Sequence, residues 1–315
     1  MKTKKRMILA ILFLVLTFIA FYYSQFTSTQ FYNTMQLILK VVIPSLTPFM
    51  ILIHFVILFN GIDLLGYLLQ YISYPVFKIS GYGAIIILTS IFGGFPYSAI
   101  MANELLKEKK IQQQEAERIV KYIFFPSLAF MLSTLLNVNL THQKEFQLVS
   151  LAVYLTGFLF LFFSKKKTPE KEFLTKKDLL AKFKDSPSQS FTSSFTSVIQ
   201  NTLSSIINIS FSILIFSMLK NYLSLIFQDK LLYLISGMFE FSGTSIAILL
   251  KPNLTFSYYL ILTFILSFSG FSVFFQALPY LKDTNLTFKK MLLSRITVAI
   301  VSVLLFSFLY LCFLF

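Results

Sequence analysis

Long apolar runs separated by short polar connections make up most of this chain. The first run, residues 7–23, falls within the length range that spans a bilayer. The others cover residues 41–59, 83–102, 123–136, 148–163, 198–219, 231–250, 258–281 and 296–315. Residues 63–80 mix apolar and polar positions and carry three tyrosines, which predicts an amphipathic helix at the membrane surface. The pattern predicts an all-α polytopic membrane protein with interfacial amphipathic helices.

Two apolar runs are interrupted by helix-breaking residues at corresponding places in the two halves of the chain. The interruptions are Ile91-Phe-Gly-Gly-Phe-Pro-Tyr-Ser98 and Ser267-Phe-Ser-Gly-Phe-Ser-Val-Phe-Phe-Gln276. In lipid every backbone N–H and C=O needs an internal partner, so a helix breaks at membrane depth only where the freed groups line a cavity. Each arm around the first break is about half a membrane span long, which predicts a re-entrant hairpin. We expect a solute site where the two breaks meet.

Composition and charge exclude several classes of protein. With 56% hydrophobic residues, 13% charged residues and a mean hydropathy of +0.76, the chain is too apolar for one soluble core. The net charge of +14 is concentrated before the first apolar run and in the lysine-rich loop at residues 164–190. Such flanks mark the cytoplasmic side of a membrane. The N-terminus is therefore predicted to be cytoplasmic, and nucleic acid is not an expected partner.

Residues for catalysis or metal binding are missing from the sequence. The single cysteine, Cys312, excludes an intramolecular disulfide and provides no metal-ligand spacing. No motif of a zinc protease, an α/β-hydrolase or a phosphate-binding loop is present. We therefore expect no enzymatic activity, no catalytic residues, no metal and no cofactor. Whether the protein uses a coupling ion, H⁺ or Na⁺, is left open.

The two halves share short matching segments. Phe77-Lys-Ile-Ser-Gly81 matches Phe239-Glu-Phe-Ser-Gly243, and Gly94-Phe95 matches Gly270-Phe271. Because the first half begins outside and the second inside, corresponding segments would run in opposite directions, which predicts an inverted repeat with two re-entrant hairpins. The predicted organisation is a signal-anchor helix (1–29), a first repeat (30–145), a scaffold helix (146–163), a cytoplasmic basic loop (164–190) and a second repeat (191–315).

Several motifs in these segments resemble those of a known family. They are Ile43-Pro-Ser-Leu-Thr-Pro-Phe49, Gly94-Phe-Pro-Tyr-Ser-Ala99, Glu115-Ala-Glu-Arg118, Phe239-Glu-Phe-Ser-Gly-Thr244 and Phe268-Ser-Gly-Phe-Ser272 with Gln276. In them the chain resembles the nucleoside-recognition, or Gate-domain, family and its YlbJ-type subgroup of sporulation integral membrane proteins. The resemblance implies a fold like that of concentrative nucleoside transporters. It also implies a multi-pass location in a bacterial cell membrane, including the forespore membrane, and a small polar or anionic solute, dipicolinate in the sporulation subgroup.

The residues expected to bind the solute lie at the two breaks and around Glu240. They are Gly94, Phe95, Pro96, Ser98, Glu240, Ser242, Thr244, Ser269, Gly270, Ser272 and Gln276. Glu240 stands deep in an apolar run, where a charge is costly, so we expect a ligand acceptor or a proton-coupling carboxylate, with a structural acid as the alternative. Its counterpart in the repeat, Lys78, is the predicted pairing partner. Gln276 has a helix–helix hydrogen bond as its alternative role.

Two functions remain open from the sequence. The first is a transporter or facilitator for a dipicolinate-like or nucleoside-like solute, which alternates access around the two hairpins. The second is a membrane scaffold without transport activity in a sporulation or envelope complex. Tyr97, Phe274 and Phe275 stand where the family keeps smaller residues, which predicts a crowded pocket. The expected partners are the solute and the lipid bilayer, and a homo-oligomer is left open.

Overall fold

The regular elements of the protein are all helices. The computed structural model describes residues 2–165, 173–184 and 191–314, and no strand occurs among them. The helices of the first half are α1 (Lys2–Tyr22), α2 (Ser24–Leu37), α3 (Ile43–Leu58), α4 (Gly61–Phe77), α5 (Gly81–Gly93), α6 (Phe95–Lys107), α7 (Gln113–Tyr122), α8 (Leu136–Val138) and α9 (Gln143–Phe163). Those that follow are α10 (Lys176–Lys184), α11 (Phe191–Leu223), α12 (Asp229–Phe239), α13 (Phe241–Leu249), α14 (Phe256–Phe268), α15 (Phe271–Ala277) and α16 (Phe288–Leu314). The predicted all-α class is confirmed.

The described residues contain five helical stretches that are long and apolar enough to cross a membrane. They are Ser24–Leu58, Leu140–Phe163, Phe191–Leu223, Phe256–Leu281 and Phe288–Leu314. A sixth arises if α4 and α5, which meet at 93°, are counted as one bent span. The outer face of α16 carries exposed side chains such as Leu304 and Phe308, which suit contact with lipid tails. The predicted multi-pass membrane protein is therefore confirmed.

Close backbone contact produces the sharp bend between α4 and α5. Lys78, the C-terminal cap residue directly after α4, adopts the left-handed conformation. Ser80 caps the start of α5 by accepting a hydrogen bond from the Gly83 amide at 3.1 Å. A Cβ atom on Gly81 would lie 1.8 Å from the carbonyl oxygen of Gly66. Only glycine allows this approach, so Gly81 fixes how closely α5 packs on α4. Helix α4 covers most of the segment, residues 63–80, that was predicted to be an amphipathic helix, while its location at the membrane surface stays a prediction.

An ionic cluster joins α4 to two other parts of the chain. The buried Asp63 carboxylate accepts hydrogen bonds from the Tyr82 hydroxyl at 2.6 Å, Lys110 at 3.0 Å and Lys182 at 2.9 Å. Lys110 follows α6, and Lys182 lies in α10 within the lysine-rich loop. The cluster therefore fixes the start of α5, the end of α6 and part of the central loop to one carboxylate.

The two halves of the chain meet through the helices next to the predicted breaks. Helices α5 and α6 pack on each other, and α6 packs on α15 of the second half. The long helix α11 packs on both α3 and α15, while α9 packs on α14 and α16. The first break therefore lies at the contact between halves, which is where the sequence places the solute site.

The second break differs from the predicted hairpin. Its arms are unequal, since α14 has 13 residues and α15 has 7. With the 3₁₀ turn Leu278–Leu281, they form one apolar stretch of 26 residues, about 39 Å if straight. Helix α15 packs mainly on α6 and α11. The second break therefore has the dimensions of an interrupted span, and α5 packs on α6 at the first break, while the two re-entrant hairpins stay a prediction.

Candidate functional site

Four interruptions of helical structure come together in the centre of the protein. Two are the predicted breaks, at Gly94 between α5 and α6 and at Ser269-Gly270 between α14 and α15. The others are the non-helical residues 123–127 after α7 and the break at Glu240 between α12 and α13. The sequence showed residues 231–250 as one apolar run, so the break at Glu240 was not predicted.

Each predicted break contains a glycine that packs against a second break. Gly94 and Gly270 have φ angles of +82° and +83°, a conformation that side chains with a Cβ rarely adopt. A Cβ on Gly94 would lie 3.2 Å from the Ser127 backbone nitrogen. A Cβ on Gly270 would lie 3.3 Å from the carbonyl oxygens of Gly237 and Phe239. The glycine turn of the first half thus lies on the unwound segment 123–127, and that of the second half lies on the last carbonyls of α12.

A small cavity of about 50 Å³ lies where these elements meet. The first break contributes Gly94, Phe95 and Pro96, the second contributes Ser272 and Gln276, and the start of α13 contributes Ser242. The rest of the lining is mostly apolar and includes Ser127 together with residues of the π-helical turn Ile38–Val42, α3 and α11, among which Ser45 of α3 is polar. This volume holds about one to three water molecules and is far below the roughly 300 Å³ of small-molecule sites. The cavity in this structure is therefore too small to hold a small-molecule ligand.

Two serines at the cavity differ in their hydrogen bonding. The Ser127 hydroxyl accepts a hydrogen bond from the Phe130 amide at 3.1 Å, which caps the following helix. The Ser272 hydroxyl is fully buried and has no partner among the described residues. Ser272 was a predicted site residue, whereas Ser127 was not, although Pro126 before it indicated a helix break. Ser272 therefore carries a free polar group on the cavity wall.

Other predicted site residues stabilise the breaks and do not line the cavity. The Ser98 hydroxyl donates to the Phe95 carbonyl at 3.1 Å, and the Thr244 hydroxyl donates to the Glu240 carbonyl at 2.8 Å. The Ser269 hydroxyl donates to the Ser267 carbonyl at 3.4 Å, and Gly270 provides the turn. These residues satisfy local backbone groups that the helix breaks leave free.

Glu240 is a helix cap and one member of a buried ion pair. Its carboxylate accepts from the amides of Ser242 at 2.7 Å and Gly243 at 3.0 Å, and from the Ser242 hydroxyl. The Lys220 ammonium donates to the same carboxylate at 3.1 Å and to the Thr244 hydroxyl at 3.2 Å. Both oxygens of this fully buried acid thus have protein partners. The geometry favours the structural alternative over direct solute binding.

The predicted pairing of Glu240 with Lys78 is wrong, because the cation at Glu240 is Lys220 on α11. Lys78 ends α4 in the left-handed conformation, and its ammonium lies 4.8 Å from the centre of the Tyr74 ring. The pairing rested on equivalent positions in the repeat. It missed Lys220 because that contact depends on how α11 packs on α12.

The aromatic residues expected to crowd the pocket do not line the cavity. Tyr97 and Phe274 are fully buried beside it, and Phe274 packs against the rings of Phe268 and Phe271. Phe275 is exposed and packs near Phe216 on α11. The aromatic side chains that do line the cavity are Phe95, Phe130 and Phe241.

A larger cavity of about 530 Å³ lies away from the breaks, between α7, α9 and α16. Its charged lining carries both signs: Glu115, Glu117, Arg118, Lys121 and Lys290. Arg118 also donates to the carbonyls of Phe77 and Lys78, at 3.0 and 2.8 Å. The smaller cavity remains the candidate site because broken helices from both halves meet there. No group of residues suited to a metal ion was found within the described ranges.

Cysteine labelling tests whether the small cavity opens to water. In a Cys312→Ser background, we expect Ser272→Cys to react with a water-soluble methanethiosulfonate reagent. Ser98→Cys is the matched control and should react at least about tenfold more slowly, because Ser98 packs away from the cavity. Equal protection of both cysteines would contradict an opening cavity.

Comparison with known proteins gives one informative similarity. No family model matches the chain, and no solved structure matches it. A curated protein from Bacillus subtilis (strain 168), the sporulation integral membrane protein YlbJ, is 25% identical over 301 aligned positions. The match covers 82% of this chain and 71% of the relative. The predicted similarity to a YlbJ-type sporulation integral membrane protein is thereby confirmed, while the wider resemblance to the Gate-domain family and to concentrative nucleoside transporters stays a prediction.

Proposed function

We propose that the protein is a membrane transporter or facilitator for a small polar or anionic solute, which alternates access around the breaks at Gly94 and Gly270. The observation that carries this proposal is the meeting of broken helices from both halves at one cavity. Backbone that is not hydrogen-bonded within a helix is tolerated at membrane depth only in such places. Discontinuous helices around a central site are a recurring plan among secondary transporters.

The start of α6 supports a polar or anionic solute. This helix begins at Phe95 on the cavity wall, so its first backbone N–H groups and its dipole favour negative charge there. Ser242, Ser272 and Gln276 add neutral hydrogen-bonding groups to the same wall. The Gate-domain resemblance and the sporulation name of the relative favour a dipicolinate-like solute, with a nucleoside-like solute as the other member of the class.

An uptake assay with purified protein in liposomes tests this proposal. Pyridine-2,6-dicarboxylate and uridine are the two probes, and protein-free liposomes are the control. We expect saturable uptake of at least one probe, with pyridine-2,6-dicarboxylate favoured. Dependence on a proton or sodium gradient would identify the coupling ion. Uptake equal to that of protein-free liposomes for both probes would contradict the transport proposal.

A non-transporting scaffold is the second candidate. The observation in its favour is the small size of the cavity, which holds no solute of the proposed class in this conformation. A scaffold would keep the breaks packed. Protection of the cysteine at position 272 together with no uptake would favour it.

Topology and cellular location complete the proposal. The N-terminus is placed on the cytoplasmic side because Lys4 and Arg6 precede the apolar part of α1. The forespore membrane is the proposed location in a spore-forming cell, following the relative's name. Neither enzymatic activity nor a bound cofactor is part of the proposed mechanism.

A further inference from the structure

An arginine lies in the interior of the protein without an acidic partner. Arg295 is on α16 and its exposed fraction is 1%. One terminal nitrogen, Nη2, donates to the carbonyl oxygen of Ser267. The other two, Nε and Nη1, have no hydrogen-bond partner among the described residues, and no ion pair found there includes this side chain. A buried cation normally requires an anion and satisfied donors.

The surroundings of Arg295 connect it to the candidate site. The Ser267 carbonyl is near the end of α14, immediately before the break at Ser269-Gly270. On another side, the guanidinium carbon lies 5.7 Å from the centre of the Phe124 ring, in the unwound segment 123–127. Phe124 in turn lies 5.4 Å from the ring of Phe95, which lines the small cavity. One aromatic side chain therefore contacts both Arg295 and the cavity wall.

We infer that Arg295 is an anion-binding residue of the solute path, which pairs with a carboxylate of the solute when the breaks around Phe124 separate. The inference rests on the proposed transport function and specifies a residue that recognises the solute. A guanidinium presents its donors in a planar fork that matches the two oxygens of a carboxylate. Charged residues inside membrane proteins mark solute or ion pathways.

A purely structural role makes a different prediction. Although Arg295 belongs to α16, its guanidinium also lies at the C-terminal end of α14. A cation at that position interacts favourably with the helix dipole and the last carbonyls. A residue with that role alone would affect stability, and it would not discriminate between a charged solute and a neutral one of the same shape. Selectivity for charge therefore separates the two roles.

The test compares binding of pyridine-2,6-dicarboxylate with binding of the neutral pyridine-2,6-dicarboxamide. In Arg295→Gln we expect dicarboxylate affinity to fall about tenfold to a hundredfold, the range for a lost charge-assisted hydrogen bond, and dicarboxamide affinity to change less than about threefold. Arg295→Lys should lie between, since it keeps the charge and loses the fork. Lys289→Gln, which removes an exposed charge from the same helix, should match wild type.

Measurements on the wild-type protein keep the inference testable if Arg295→Gln does not fold. The dicarboxylate should raise the melting temperature of the wild type, while the dicarboxamide should raise it much less. Equal effects of the two probes on the wild type, or equal losses in Arg295→Gln, would overturn the inference. Selective dicarboxylate binding that Arg295→Gln abolishes, without uptake, would support Arg295 and contradict transport. If the dicarboxylate and the dicarboxamide are both taken up, and Arg295→Gln changes the uptake of neither, only the role of Arg295 would be contradicted.

Discussion

Glu240→Gln is expected to lower the free energy of unfolding by about 3–5 kcal/mol, the range for removing one member of a buried ion pair. The substitution leaves the ammonium of Lys220 largely buried without its carboxylate partner at 3.1 Å. It also weakens the cap of α13, where Glu240 accepts hydrogen bonds from two backbone amides. The loss thus combines an uncompensated charge with a poorer helix start.

A double-mutant cycle separates these two effects. In Lys220→Met/Glu240→Gln neither member of this ion pair is charged, so we expect much of the lost stability to return, while the cost of the poorer cap persists. Glu108→Gln is the control, because Glu108 is half exposed in its pair with Lys110 and should cost at most about 1 kcal/mol. The measurement is the fraction of monodisperse protein on size-exclusion chromatography after heating. A thiol-reactive dye would be unsuitable, since Cys312 is exposed in the folded protein.

Two results would contradict this interpretation. One is a wild-type melting temperature for Glu240→Gln, and the other is a double variant less stable than the sum of the single effects.

The stability of these variants also determines how transport assays on Glu240 variants are interpreted. Lost uptake in Glu240→Gln alone would not identify a solute ligand, because the carboxylate supports the α12–α13 break. Lost uptake in a fully folded double variant would indicate a direct role in transport.

The helices could be predicted from sequence because burial in lipid requires long apolar stretches with all backbone groups paired. The break at Glu240 was not predicted, because the residues on both sides of it are apolar. The local pattern that indicates the break is an acid followed by Ser242 and Gly243, because an acidic side chain can cap a helix start by accepting hydrogen bonds from the next backbone amides. The partner Lys220 could not be predicted, since it is 20 residues away in sequence and its position depends on helix packing. The inverted orientation of the halves stays a prediction.

The candidate site was predictable in location and only partly in its residues. Gly94 and Gly270 were correctly identified as break positions because glycine before a new helix permits a positive φ. Ser98 and Ser272 both follow a break, four residues after Gly94 and two residues after Gly270, and both were predicted to face the solute. One hydroxyl bonds to its own helix and the other faces the cavity, and this difference depends on the rotation of each helix. Arg295 was missed because it lies just before the apolar run 296–315.

Gly81→Ala is expected to prevent stable folding, with a loss of about 4 kcal/mol or more. The new Cβ would lie 1.8 Å from the Gly66 carbonyl oxygen and 2.6 Å from its carbon. Neither atom can move without shifting the backbone of α4. That shift would also disturb the hydrogen bond between Tyr82 and Asp63, and with it the contacts of Lys110 and Lys182.

Gly243→Ala is the comparison variant, since the three atoms nearest its Cβ are side-chain ends of Lys220, Glu240 and Leu37 at 3.1–3.2 Å, which can adjust by a few tenths of an ångström where the backbone at Gly66 cannot. Yield of monodisperse protein and melting temperature in detergent measure both variants. We expect little or no folded Gly81→Ala protein and clearly higher recovery of folded Gly243→Ala, with a melting temperature somewhat below wild type. Normal recovery of Gly81→Ala would show that α4 and α5 tolerate a wider separation. In that case the 93° bend would not depend on backbone contact at Gly81, and α5 could move relative to α4 without loss of the fold.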